Sequence, residues 1–148
     1  MSWIYSQFFK RLVVVLCLIM LVLLGCPWLL YMYGLSNITG RPEPAKIVTL
    51  TPETKELIWM DLREQGPIRL EPLTPYDIYS LLLDKPDTAG VRIAWYVARN
   101  YNQDHLQDRR MLYWHISGEA LTIWLTRNWS ADKLLTKARE IRQYKVKP

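Results

Sequence analysis

The chain has 148 residues, half of them apolar, and its 19 Lys and Arg against 14 Asp and Glu give a formal charge of +5. That length holds one domain of ordinary size, not two. A mean hydropathy near zero with 12% aromatics excludes a disordered charged tail, and six glycines with nine prolines exclude a fibrous or low-complexity chain.

The charge is unevenly placed. Residues 1–33 carry only Lys10 and Arg11, residues 34–126 are slightly acidic, and the excess of Lys and Arg lies from Arg127 onward. Residues 12–33, LVVVLCLIMLVLLGCPWLLYMY, contain no charge. At about 1.5 Å per residue this stretch is long enough to cross a hydrocarbon core of roughly 30 Å. Trp3 and Tyr5 before it, with Trp28, Tyr31 and Tyr33 at its end, suit interfacial belts, while Lys10 and Arg11 favour a cytoplasmic N-terminus. The expectation is residues 1–11 inside, an uncleaved anchor over 12–33, a linker over 34–50 and an outer domain over 51–148. The alternatives are a cleaved signal peptide and a lipoprotein anchored at Cys26, where Leu23-Leu24-Gly25-Cys26 reads as a lipidation box. Both cysteines, Cys17 and Cys26, fall in this segment, so the outer domain uses neither a disulfide nor a cysteine-ligated metal.

Gly40, Pro42 and Pro44 mark the linker. Thr51-Pro52-Glu53 opens a helix predicted to run to about Glu64, before Gly66-Pro67. An extended piece follows over 68–73, and Thr74-Pro75-Tyr76-Asp77 caps a second helix through Leu83. A third is predicted over about Gly90 to Asn100, a polar turn over 102–108, and a fourth helix from about Arg109 to Arg127. The fourth is apolar on most of its faces, which makes it the buried centre of the domain. Ser130 caps a last helix whose acid lies early and whose Lys and Arg lie late, as the helix dipole favours. The fold class is therefore mainly α: a transmembrane helix plus a small helical domain around a buried central helix.

Three blocks in this order resemble the peptidoglycan glycosyltransferases, the transglycosylase domain of penicillin-binding proteins and of monofunctional transglycosylases. IRLEPLTPYDIYSLLLD, residues 68–84, is similar to the family's approach to its first motif. GVRIAWYVARN, residues 90–100, resembles G-S-T-I-T-Q-Q-L-A-R-N, with Gly90, Ile93, Ala98, Arg99 and Asn100 matching. Residues 110–135 resemble the stretch through R-K-x-x-E to S-K-D-E-I-L. The resemblance implies a lysozyme-like helical fold and a bacterial inner-membrane protein with its C-terminal domain in the periplasm.

The departures bear on chemistry. Glycosyl transfer requires a carboxylate to activate the acceptor hydroxyl and charged groups to hold a lipid-linked diphosphate. Asp84 stands at the first carboxylate's position, one methylene shorter. Val91, Arg92, Trp95 and Tyr96 replace the Ser, Thr and paired Gln of the second motif. Trp114, His115 and Gly118 stand at R-K-x-x-E, with Glu119 one position late, a rotation of about 100° on a helix. A shortened, degenerate relative is the reading these substitutions favour.

Asp84 and Glu119 are the candidate catalytic residues. Asp84 is otherwise a solvated turn residue, and Glu119, on the most apolar helix, is otherwise a structural acid paired with an arginine. Arg92, Arg99, Asn100, Arg109 and Arg110 are the candidate substrate-binding set, since guanidinium pairs bidentately with phosphate. Read without a ligand, the arginines are solvated helix edges. Trp95, Trp114 and Trp124 are expected in the core, with Trp59 and Trp129 as the exposed candidates for a carbohydrate platform. His105 and His115 stand at no metal spacing. No cofactor and no metal are expected.

The expected partners are the lipid bilayer and, beyond it, peptidoglycan, its lipid-linked precursor or an envelope protein. Nucleic acid is excluded for a basic tail outside the membrane with little aromatic interleaving. Three functions follow as expectations: a non-catalytic binding or accessory module of cell-wall metabolism, a divergent glycosyltransferase or lytic enzyme using Asp84 and Glu119, and a periplasmic inhibitor or immunity protein.

Overall fold

A computed structural model describes residues 2–46, 50–62, 67, 69–83, 88–108 and 110–146. Within them the chain is mainly α. Helix α1 spans Ser2–Ser36, α2 Pro52–Asp61, α3 Ile78–Leu83, α4 Ala89–His105, α5 Met111–Asn128 and α6 Ala131–Val146. A single 3-10 turn, Pro75–Asp77, leads into α3, and the described residues contain no strand, only a bridge between Ile38 and Leu106.

α1 is one apolar helix with two environments. Its residues from Phe9 through Leu24 are exposed, and Phe9–Ser36 is long and apolar enough to cross a membrane. From Pro27 onward it joins the domain: Pro27, Tyr31, Gly34 and Leu35 are buried, chiefly against α5. Gly34 lies close against α5. A methyl group there would sit 2.6 Å from the Ile116 carbonyl oxygen and 2.7 Å from the Ala120 Cβ, so the two backbones pack in direct contact. Small residues at a crossing allow this, as they do between membrane helices.

The residues after α1 are held by the turn between α4 and α5. Asn37 Oδ1 accepts from the Asp108 backbone N–H at 3.0 Å, and its Nδ2 donates to the Asp108 carbonyl at 3.2 Å and to Ser117 Oγ at 3.1 Å. The Gln107 N–H donates to the Asn37 carbonyl, and the Thr39 N–H to that of His105. The stretch from residue 34 thus begins inside a helix and continues as a docked strap.

Thr51 caps α2, its Oγ1 accepting from the Thr54 N–H, and Ile58 and Trp59 are buried on that helix. α2 packs on α6, with Lys55 and Asp132 paired at 2.9 Å and Arg142 donating to the Asp61 carbonyl. Asp77 Oδ2 takes both the backbone N–H and the hydroxyl of Thr74 at 2.7 Å, fixing the entry to α3.

α4 runs five residues beyond Asn100, into the stretch read from sequence as a polar turn. The reason is that Asn102 points inward, fully buried, and donates to the Trp114 carbonyl at 2.9 Å, while Gln103 and Asp104 stay exposed. α5 is buried continuously from Ile116 to Ile123. Its hydroxyls bond within the helix, Thr122 to the Gly118 carbonyl and Thr126 to that of Ile123, so they cost little in an apolar core. α6 closes the bundle against α4 through Leu134, Leu135 and Ala138.

The Gly34 contact is directly testable. Gly34→Ala forces α1 away from α5 at an overpacking cost of roughly 1–3 kcal/mol, which a thermal unfolding scan of the full chain in detergent reads as a drop of several degrees.

Candidate functional site

The site built most deliberately lies where α4 faces α5. Trp95 and Arg99 stand four residues apart on α4, and so share a face. Trp114 and Glu119 come from α5. Glu119 is 1% exposed, and its Oε1 accepts from Trp95 Nε1 at 3.3 Å and from Arg99 Nη2 at 3.2 Å. The Arg99 guanidinium carbon lies 3.8 Å from the Trp95 ring centroid and 4.4 Å from that of Trp114, so the cation is held between two indoles. Gly118 gives these side chains room: a methyl group there would come within 3.3 Å of Asn102 Nδ2 and 3.9 Å of Arg99 Cγ.

Three polar atoms in this cluster, Glu119 Oε2, Arg99 Nε and Asn102 Oδ1, are buried without a hydrogen-bond partner. Such atoms are expensive, and a network satisfied only in part carries a cost that an apolar replacement would not. The Glu119 carboxyl is pushed above its ordinary range. Loss of hydration dominates and outweighs the opposing help of the Trp95 N–H and the Arg99 charge. The cluster therefore offers a carboxyl that holds its proton more readily than usual, tied to one cation.

The other candidate residues are dispersed. Arg110 forks onto Asp108, its Nε 3.1 and 3.0 Å from the two carboxylate oxygens, and lies over the Tyr113 ring. That ion pair holds the Asp108 carboxyl below the usual carboxylate range. Arg92 is half-buried on α4. Asn100 lines a different space, a groove of about 340 Å³ between α4, α6 and the strap, together with Glu43, Tyr101, Asp104, Lys137 and Glu140. Asp84 and Arg109 lie outside the described residues. The structure thus joins Glu119 to Arg99, a candidate acid to a candidate phosphate ligand, and places Arg110 and Asn100 elsewhere.

The tryptophans reverse the order expected from sequence. Trp59 and Trp129 are buried, at 6% and 7% exposure, whereas Trp95, Trp114 and Trp124 are only partly covered. Trp59 is enclosed because α2 lies on α6, and Trp129 because it ends α5, its N–H donating to the Leu125 carbonyl. The i, i+4 spacing of Trp95 and Arg99 was the available signal for their pairing. Reading each residue type separately misses it. His105 stacks on Tyr101 at 3.7 Å and His115 meets the edge of Trp114, and among the described residues no three His, Cys, Asp or Glu side chains gather around a common point.

Comparison with protein-family models, with curated proteins and with solved structures finds no match to this chain.

Two substitutions test the cluster. Arg99→Ala strands a buried carboxylate and costs on the order of 3–5 kcal/mol near neutral pH, less in acid where Glu119 takes up a proton. Glu119→Gln keeps the shape and removes the charge. A carboxyl raised on folding stabilises most below its unfolded pKa and loses that stabilisation as pH rises through its folded value. Thermal melts across pH should therefore show Glu119→Gln gaining on the wild type as pH increases from about 4.5, the ordinary carboxyl value.

Proposed function

We propose that this chain is a membrane-anchored accessory module of the bacterial cell envelope, with a degenerate, lysozyme-like transglycosylase scaffold that binds a wall component or an envelope protein and does not catalyse glycosyl transfer. The observation that carries the reading is the state of Glu119. A general base must reach a substrate hydroxyl, and this carboxyl is 1% exposed, with one oxygen committed to Trp95 and Arg99. Arg99 and Arg110, two of the arginines that would grip a diphosphate, already hold carboxylates. The three sequence blocks support the family scaffold.

The uncleaved anchor is supported by the second half of α1. Pro27, Tyr31 and Leu35 belong to the domain's buried set, so removal of the whole apolar stretch would open the core. A chain beginning at Cys26 would retain them, and the intact mass of the membrane-extracted protein separates the two forms.

The enzyme reading draws on one observation, the raised Glu119 carboxyl, because a proton donor of glycosidic chemistry needs such a shift. A polymerisation assay with lipid-linked disaccharide decides between them. The proposal expects no glycan product from the full chain in detergent or vesicles, and retention of the wild type and of Glu119→Gln alike on peptidoglycan or on an envelope partner. Turnover by the wild type that disappears in Glu119→Gln or Asp84→Asn overturns it.

A further inference from the structure

We infer that the 3-10 turn at Pro75–Asp77 and α3 form a second membrane contact, lying in the outer leaflet beside the anchor with Tyr76, Tyr79 and Leu83 turned to lipid. The inference rests on α1 crossing the bilayer and goes beyond it, because it assigns a lipid-facing surface to the domain itself.

The first observation is one of length. The charges nearest the cytoplasmic end of the apolar run are Lys10 and Arg11, so the hydrocarbon begins near Leu12. A core of roughly 30 Å takes about 20 residues of helix at 1.5 Å each, which carries it to about Tyr31. Yet one face of α1 is covered from Gly25 on, with Pro27 and Tyr31 buried while Trp28 and Leu29 on the other faces stay exposed. The stretch exposed on every side, Leu12 to Leu24, is only ~20 Å long, too short to span alone. The part of the domain that flanks residues 25–31 must therefore share the membrane with them.

The second observation identifies that part. Tyr76 Oη donates to the Leu24 carbonyl at 3.3 Å, and the turn and α3 both pack along α1. Pro27 lacks the N–H that the Leu23 carbonyl would otherwise receive, and the Tyr76 phenol stands one residue on, at the Leu24 carbonyl, so the turn meets the helix where its backbone is least self-satisfied.

The third observation is exposure. Tyr76 and Tyr79 are nearly half exposed and Leu83 is 88% exposed, which suits a lipid contact and would be wasteful in water. Trp28 and Leu29, on the helix along which the turn and α3 pack, are exposed as well. Asp77 does not oppose this placement, since its carboxylate is engaged by the Thr74 N–H and hydroxyl. Arg127 is exposed at the adjoining end of α5, within 3.5 Å of the Leu73 carbonyl, where a cation meets lipid phosphate. The sequence turns charged directly after Leu83, with Asp84, Lys85 and Asp87, so the insertion is shallow, at the 5–10 Å depth of interfacial helices.

The test uses the full chain with Cys17 and Cys26 replaced by alanine, reconstituted in phosphatidylcholine–phosphatidylglycerol vesicles. An environment-sensitive fluorophore is attached in turn at Tyr79→Cys, Leu83→Cys, Gln103→Cys and Leu18→Cys. The labels at 79 and 83 should be quenched at least about twofold more by a spin label high on the acyl chain than by one deep in it or by aqueous iodide. Gln103, exposed on α4, should respond to iodide alone. Labels at 79 and 83 that behave like Gln103 overturn the proposal, as do labels shielded from every quencher in proportion to protein density, which would mark contact with a second copy. Leu18 keeps the premise separate. Strong quenching there by the deep spin label establishes the crossing, whatever positions 79 and 83 report.

Discussion

The packing of Gly34 against Ile116 and Ala120 governs the organisation of this protein. Where two helix backbones touch, there is no side-chain layer to absorb a change of angle, and the position of one helix dictates the other. α1 is the helix long and apolar enough to cross a membrane and α5 is the buried centre of the domain, so that helix and the core are a single packed unit. The Asn37 amide reinforces this by bonding both the N–H and the carbonyl of Asp108 immediately beyond the helix.

Around that axis the polar interior is arranged with an evident imbalance. Most buried hydroxyls are satisfied within their own helix, yet Glu119, Arg99 and Asn102 each leave an atom unpartnered. The two indoles compensate in part, since a guanidinium sandwiched by aromatic faces gains roughly 0.5–2 kcal/mol from each, more as it is desolvated. The arrangement holds a cation in place beside an acid whose own hydration has been removed.

Much of the secondary structure was legible in the sequence because it is written in local chemistry. Thr51-Pro52 and Thr74-Pro75 placed two helix starts, the charge-free run placed α1, and the apolar faces of α5 marked it as central. The misses have a common physical origin. Asn102 looked like a turn residue because a buried amide is legible only when its partner, the Trp114 carbonyl, is known. Trp59 and Trp129 looked exposed because charged or cap residues stand near them in sequence, whereas in space Trp59 is covered where α2 packs on α6 and Trp129 is buried at the end of α5. The Arg99–Glu119 pair spans twenty residues and two helices, and the demand for an arginine near Glu119 was readable while its identity was not.

The strap at residues 37–39 has a mechanical meaning. A domain on a flexible tether samples a volume set by linker length and meets partners at many heights and angles. Here the chain leaves α1 and is bonded at once to the α4–α5 turn, so with α1 as the proposed anchor the domain would keep a fixed height and a fixed tilt relative to the lipid plane. It would then search by lateral diffusion and rotation about the membrane normal only. Part of the orientational entropy that association ordinarily costs would be spent before any encounter, and a partner confined to the same membrane would meet one pre-aligned face at a raised local concentration.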